Sequence, residues 1–368
     1  MPLSLEEILG YVPLTKAIET VKAGVPKLLP DSFYKRDPQF RLLGDRTRRI
    51  ETQGTRKNAR LVPYGAPSRQ VTALPLDGRD IRLLHTEETI SFSWELFMQI
   101  REFESYTVMM KLAEEARRQI KNIADRQVNL ESSLVHSMLA NGKLWFNSDG
   151  EMLASASGAD LTIDYGVPAN NTGQLNGIID ASWAIKTTNI PLHLKKIRQR
   201  ARFTTGYPLK YALYGQNVMG YMLQNTFLQS YLVSLGGQSL ANQFLSTGEL
   251  PSGFMGFEWI SMNEAFFDTE TAGTSTAIWD DDAITFAPDV NDTNTYGIYE
   301  GSYPVLTKFD LTGDAMGQFS NYEQKYGAYG YGYPSFPPQP LGLFGVVGDT
   351  FLPALMTPAA YFFADTTP

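Results

Sequence analysis

Residues 104–140 read ESYTVMMKLAEEARRQIKNIADRQVNLESSLVHSMLA, and their apolar spacing decides how the rest of the chain is organised. Met109, Leu112, Ala116, Ile120, Ile123, Leu130, Leu134 and Met138 recur at intervals of three, four and seven. That period draws one apolar stripe along a helix and leaves Glu114, Arg117 and Lys121 toward solvent. Asn141-Gly142 supplies the stop, because both residues tolerate the left-handed conformation that ends a helix. At about 1.5 Å per residue the segment spans roughly 55 Å, far beyond the mean globular helix, and suits a structural spine. Directly after it, KLWFNSDGEMLAS (143–155) predicts a β-hairpin turning at Asp149-Gly150.

On the N-terminal side, residues 1–40 hold short apolar runs interrupted by prolines, among them Pro13, Pro26 and Pro30. They predict an extended arm with a short helix near Leu14–Lys22. Residues 45–93 carry strand-like runs, ARLVPY, RQVTAL and DIRLLHTEETISFSW. Turn signals interrupt them at Tyr64-Gly65-Ala66-Pro67 and Leu76-Asp77-Gly78. A polar two-stranded loop of this length has little core of its own and should project onto a neighbour.

On the C-terminal side, residues 175–235 predict three helical pieces: Ile178–Lys186, Leu192–Thr205 and Gly215–Leu235. Residues 255–310 turn to strand signals in FMGFEWISM, TAIWDD, AITFAP and TYGIYEG. GAYGYGYPSFPPQPLGLFG (327–345) reads as an ordered aromatic loop, and FLPALMTPAAYFFAD (351–365) as a closing strand that returns to the core. The fold class is α+β, with a central insertion over about residues 166–335.

Composition narrows the function classes. The chain of 368 residues is 43% hydrophobic and 12% aromatic, enough for a sizeable core. It holds no cysteine, which removes disulfides, thiolate metal sites and cysteine nucleophiles. His85, His136 and His193 are too widely spaced for a metal pair. The opening MPLSLEEILGYVP is acidic where an export signal would be basic. No apolar run reaches the length of a membrane span. The net charge of −8 is unevenly spread: residues 41–82 hold ten basic against four acidic side chains, and residues 203–368 three against sixteen. Such polarity predicts head-to-tail contact between copies. Nucleic-acid binding by the basic stretch fits less well, since phosphate repels an acidic whole.

No catalytic constellation stands out, and the sequence predicts no enzyme, cofactor or metal: GxGxxG, Walker A, HExxH and GxSxG are missing. Asp280-Asp281-Asp282 could ligate a divalent cation, but three consecutive carboxylates converge only in a tight turn, so a solvated turn is the simpler reading. His136 reads as a packed or hydrogen-bonded helix residue. The tyrosines of GAYGYGY could stack on bases, but no Lys or Arg is interleaved, and a packed loop accounts for them.

The order of the pieces carries a resemblance to a known family. The stretches Ala66–Phe92, LESSLVHSMLANGKLWFNSDGEM with the later IDYGVP, WAIKTTNIPLHLKKIRQRARFTTGYPLKYALYGQNVMGYMLQN, FMGFEWISMNEAFFD with ITFAPD, and GDTFLPALMTPAAYFFAD span most of the chain from about residue 62. Together the chain resembles the lambda-like major capsid proteins of tailed phages, the phage capsid protein E family, with the Hong Kong ninety-seven type fold. The resemblance implies an N-terminal arm (1–44), an extended loop (45–93), a peripheral domain (94–165 and 336–368) around the spine helix, and an axial domain (166–335). It implies a virion shell of hexamers and pentamers enclosing double-stranded DNA without sequence-specific contact, built in the host cytoplasm with no membrane partner. A portal is an implied partner, and proteins of this kind often recruit a decoration protein at three-fold positions, a choice the residues leave open. The N-terminus lacks a long charged helical extension, which points to a separate scaffolding protein. The alternatives are an encapsulin-like nanocompartment shell of the same fold and a carboxylate-dependent enzyme. Candidate contacts between subunits are Arg46, Arg48, Arg49, Arg56, Lys57 and Arg60. The same resemblance raises a loop-lysine crosslink at Lys57, for which an ordinary surface lysine is the simpler reading.

Overall fold

The computed structural model describes residues 27–42, 46–51, 77–91, 106–251, 253–268, 275–301, 303–308, 323–327, 331–335 and 344–367. The predicted helix at Leu14–Lys22 and the turn at Tyr64–Pro67 lie outside these residues.

In chain order the first strands are β1 (Arg41–Leu42), β2 (Arg46–Glu51), β3 (Asp77–Arg82) and β4 (Leu84–Ser91). β2 and β3 pair antiparallel, Arg48 opposite Asp80 and Glu51 opposite Asp77. Asp77 and Gly78, read from sequence as a turn, therefore sit inside a strand, because pairing across the ladder outweighs their local turn preference.

The spine helix α1 runs Tyr106–Asn141 and stops where predicted, with Gly142 at φ 63°. A Cβ there would press on Val167 at 2.8 Å, so Gly142 meets both a dihedral and a steric demand. The single stripe holds only for part of the helix. Glu114 and Lys121 are exposed, but Ser133, Leu134, Val135, His136, Ser137, Met138 and Leu139 are all buried. That end of α1 is wrapped on every side, by strands as well as by the N-terminal segment.

The hairpin follows as β5 (Lys143–Phe146) and β6 (Met152–Leu153), with Gly150 at φ 82° in the turn, and β7 (Leu161–Asp164) completes a small sheet on β5. After β8 (Thr172–Gly173), residues 178–186 form turns, not the predicted helix. Leu175, Asn176 and Gly177 all take positive φ just before it, which reverses the chain and prevents a helical start. The helices α2 (Ile190–Thr204), α3 (Gln216–Gln224) and α4 (Thr226–Thr247) flank β9 (Leu209–Tyr214). The predicted piece Gly215–Leu235 is two helices because Asn225 takes an extended conformation between them. Its carboxamide oxygen accepts from the Leu228 amide at 2.8 Å while its amino group donates to Thr188 O at 2.7 Å.

The remaining strands are β10 (Glu258–Ser261), β11 (Phe266–Asp268), β12 (Ser275–Ala277), β13 (Ala283–Pro288), β14 (Tyr296–Gly301), β15 (Tyr303–Lys308), β16 (Glu323–Gly327), β17 (Tyr331–Ser335), β18 (Phe344–Leu355) and β19 (Phe362–Asp365). β17 replaces part of the predicted aromatic loop. The predicted closing strand is two strands in two sheets, parted by the short 3-10 turn Pro358–Ala360.

Two five-stranded sheets organise the body. One centres on β18, which pairs β4, β17 and β14, with β1 beyond β14. The other has the order β10-β9-β13-β19-β8. Side chains alternate across a strand, and this second sheet uses the alternation to divide two cores. Tyr211, Leu213, Ile260, Ala287 and Phe363 face the spine helix, whereas Ala212, Trp259, Ile284, Phe286, Phe362 and Ala364 face α2–α4. Each fully buried Phe or Leu contributes about 1.5–3 kcal/mol relative to exposure, so both faces hold the sheet in place.

Candidate assembly surfaces

The N-terminal segment reaches the spine core through three apolar side chains and one cation. Leu29, Phe33 and Tyr34 bury their side chains in the core. They bring Arg36 between three carboxylates: Glu131 on α1, Glu300 on β14 and Asp349 on β18. Arg36 Nη1 donates to Glu300 Oε1 at 3.1 Å, Nη2 to Asp349 Oδ2 at 3.0 Å, and Nε to Glu131 Oε1 at 3.3 Å. The guanidinium also lies over the Phe351 ring at 5.3 Å. Burial raises the Glu300 carboxyl to about 7 against the opposing pull of Arg36, so this carboxylate shares its proton near neutrality. Arg41 Nε approaches the same carboxylate at 3.8 Å. A signal for this network stands in the sequence. Lone acidic residues inside the apolar runs YGIYEG and FGVVGDTF imply a buried cation, since unpaired carboxylates are rarely buried.

All three histidines carry structural hydrogen bonds, His85 through its Nδ1 to the Thr350 hydroxyl at 2.8 Å. His136 lies 3.2 Å from the Tyr34 hydroxyl, and burial pushes it down to about 4, so it is neutral and ties the arm to α1. Trp183 Nε1 donates to His193 Nδ1 at 3.1 Å, which leaves the proton on Nε2 to donate to Asp180 at 2.8 Å.

Asp280-Asp281-Asp282 forms a turn, as expected, and its groups serve the fold. Asp282 accepts from Asn217, Tyr221 and Thr367, and the Asp281 carbonyl accepts from the Asn217 amide at the start of α3. Gly215 is required there, because a Cβ would collide with the Asp280 carbonyl. Among the described residues no cluster of His, Cys, Asp or Glu could hold a metal ion. Nor is any described helix long and apolar enough to cross a membrane. Of the candidate contact residues, Arg46, Arg48 and Arg49 lie on β2, opposite Arg82, Asp80 and Arg79 of β3. Arg56, Lys57 and Arg60 lie outside the described residues.

Residues 11–300 match the family model of phage major capsid protein E. The chain belongs to that family and is a structural protein of a bacteriophage capsid. No curated protein matches it. Similar solved structures include a phage-related protein from Bordetella bronchiseptica RB50, with TM-score 0.49 and 9% identity over 95% of this chain and 96% of that one. Another is a prophage capsid protein from Escherichia coli CFT073, with TM-score 0.48 and 14% identity over 97% and 99%. A virus-like particle from Pyrococcus furiosus aligns with TM-score 0.36 and 10% identity over 96% and 99%.

Proposed function

We propose that copies of this chain close into an icosahedral shell of hexamers and pentamers around double-stranded DNA. The observation that carries the reading is the pair of cores on either side of one sheet. Residues 94–165 and 336–368 make the peripheral domain around α1, and residues 166–335 the axial domain around α2–α4. The two are stitched together, since β14 joins the sheet of β18 and β19 joins the sheet of β9 and β13. Residues 1–44 are the arm, and residues 45–93 the extended loop that laps a neighbouring copy. There Arg46, Arg48, Arg49, Arg56, Lys57 and Arg60 meet acidic side chains of that neighbour. Assembly takes place in the host cytoplasm with a separate scaffolding protein and a portal. DNA contact is non-specific and falls steeply with salt.

Cryo-EM of particles purified from cells expressing the head genes tests the reading. Closed shells filled with DNA are expected. Monomers, or shells loaded with a protein cargo in place of DNA, would overturn it. The latch is tested by Arg48→Glu with Arg49→Glu, which should leave the subunit folded and the shells fragile, more so as salt rises. Wild-type yield and shell melting at both low and high salt would sink it.

A further inference from the structure

The helical lobe is polarised more sharply than the chain as a whole. Residues 181–248 carry seven basic side chains and no acidic one, whereas residues 249–302 carry eleven acidic and no basic one. Of the exposed side chains on α2, Leu192, Lys195, Gln199, Arg202 and Phe203 fall at spacings that place them on one face, with Thr204 at the end. The helix thus presents cations between two apolar ends. Phe203 is 78% exposed, the largest value among the exposed hydrophobic side chains described.

A groove of about 390 Å³ opens between the end of α4 and β10. Leu240, Phe244, Leu250, Pro251 and Trp259 line it together with the polar Gln243 and Thr247, and the exposed carboxylates Glu249 and Glu258 stand on its rim. The groove and the knob are complementary in both respects that matter. An aromatic ring suits the apolar floor, and the cation beside it in sequence suits the two rim carboxylates.

We propose that Phe203 of one copy inserts into this groove of the next, with Arg202 and Lys195 facing Glu249 and Glu258. The contact is heterologous: knob and groove are different surfaces of the same chain. Repetition therefore yields a ring when the rotation closes. The proposal rests on the shell reading and assigns the contact that joins neighbours around one axis. It differs from the extended-loop latch, whose basic residues lie in another part of the chain. Helix α4 is consistent with a surface covered in the assembly, for it carries no charged residue and exposes Leu235 (58%) and Leu245 (50%).

The chain has no cysteine, so a pair can be introduced without background. Phe203→Cys with Leu250→Cys, oxidised in purified shells, should give a reducible ladder of covalent oligomers, and neither single variant should. Shells that form but give no ladder overturn the contact while leaving the shell reading intact. Absence of shells from the wild-type chain with its head proteins overturns the shell reading itself. A charge exchange gives a second readout. Arg202→Glu should lower shell yield about tenfold at unchanged subunit melting, and adding Glu249→Lys with Glu258→Lys to the same chain should restore it. Wild-type yield from Arg202→Glu alone, or no recovery in the triple variant, counts against the proposal.

Discussion

Both faces of the central sheet bury an apolar core, but only the spine side adds a charge network to it. On the spine side a buried guanidinium gathers three carboxylates from elements 95 to 313 residues away in sequence. On the helical side the core is apolar, with Trp183, Phe244, Phe257, Phe286 and Phe362 almost fully buried, and the surface beyond it stays apolar in places. A charge network needs every partner in register, so it specifies where the arm docks. Apolar packing tolerates change better, and its outer surface remains open to another copy. The spine side is thus built for internal uniqueness and the helical side for association.

The comparison predicts unequal responses to substitution. Arg36→Met should have the largest effect, about 3–5 kcal/mol, because it leaves three carboxylates buried without their cation. Its urea midpoint should fall sharply, and combining it with Glu300→Gln and Asp349→Asn should recover part of the loss. A midpoint near wild type for the single variant would show that the network does not hold the arm. Next in size, Asn225→Ala removes the α4 cap and one of the two hydrogen bonds to the Thr188 carbonyl, which keeps only the Ile190 amide, and should cost about 1–2 kcal/mol in chemical denaturation.

A pH profile sharpens the contrast within the spine side. Glu300, raised to about 7, contributes stability that is complete below the ordinary value of 4.5 and lost as pH climbs through 7. His136, pushed down to about 4, contributes stability that is present above 6.5 and lost as pH falls through 4. Melting of Glu300→Gln should therefore be flatter than wild type from about pH 5 to 8, whereas His136→Phe should flatten the acid side. Parallel profiles would contradict both assignments. The smallest folding effect belongs to the helical surface. Leu235→Ser and Leu245→Ser should change subunit stability by no more than about 0.5 kcal/mol. A large loss in the isolated subunit would mean these side chains serve the fold.

Long, strongly periodic elements were legible in the sequence, as were turns that depend on one residue type. The spine helix ends at Asn141-Gly142 as read, and AITFAP is β13 residue for residue. Short elements whose state depends on distant partners were not. Ile178–Lys186 has helical spacing on paper, yet three positive-φ residues precede it, and the Leu175 carbonyl among them is held by Arg200 of α2. The basic stretch at 41–82 drew attention to charge, while the cation with the most partners in the described structure, Arg36, stood just outside it.

The sequence by itself determined the α+β class, the spine helix, the capsid family and the lack of thiol chemistry, because periodicity, composition and motif order are local or cumulative properties. Only the tertiary structure decided which carboxylates Arg36 would meet, that the closing segment would serve two sheets, and that an exposed Phe203 and an acid-rimmed groove would coexist on one lobe. Those facts depend on how residues hundreds of positions apart are brought within hydrogen-bonding distance. No local spacing encodes that proximity; it emerges when both faces of the central sheet are buried at once.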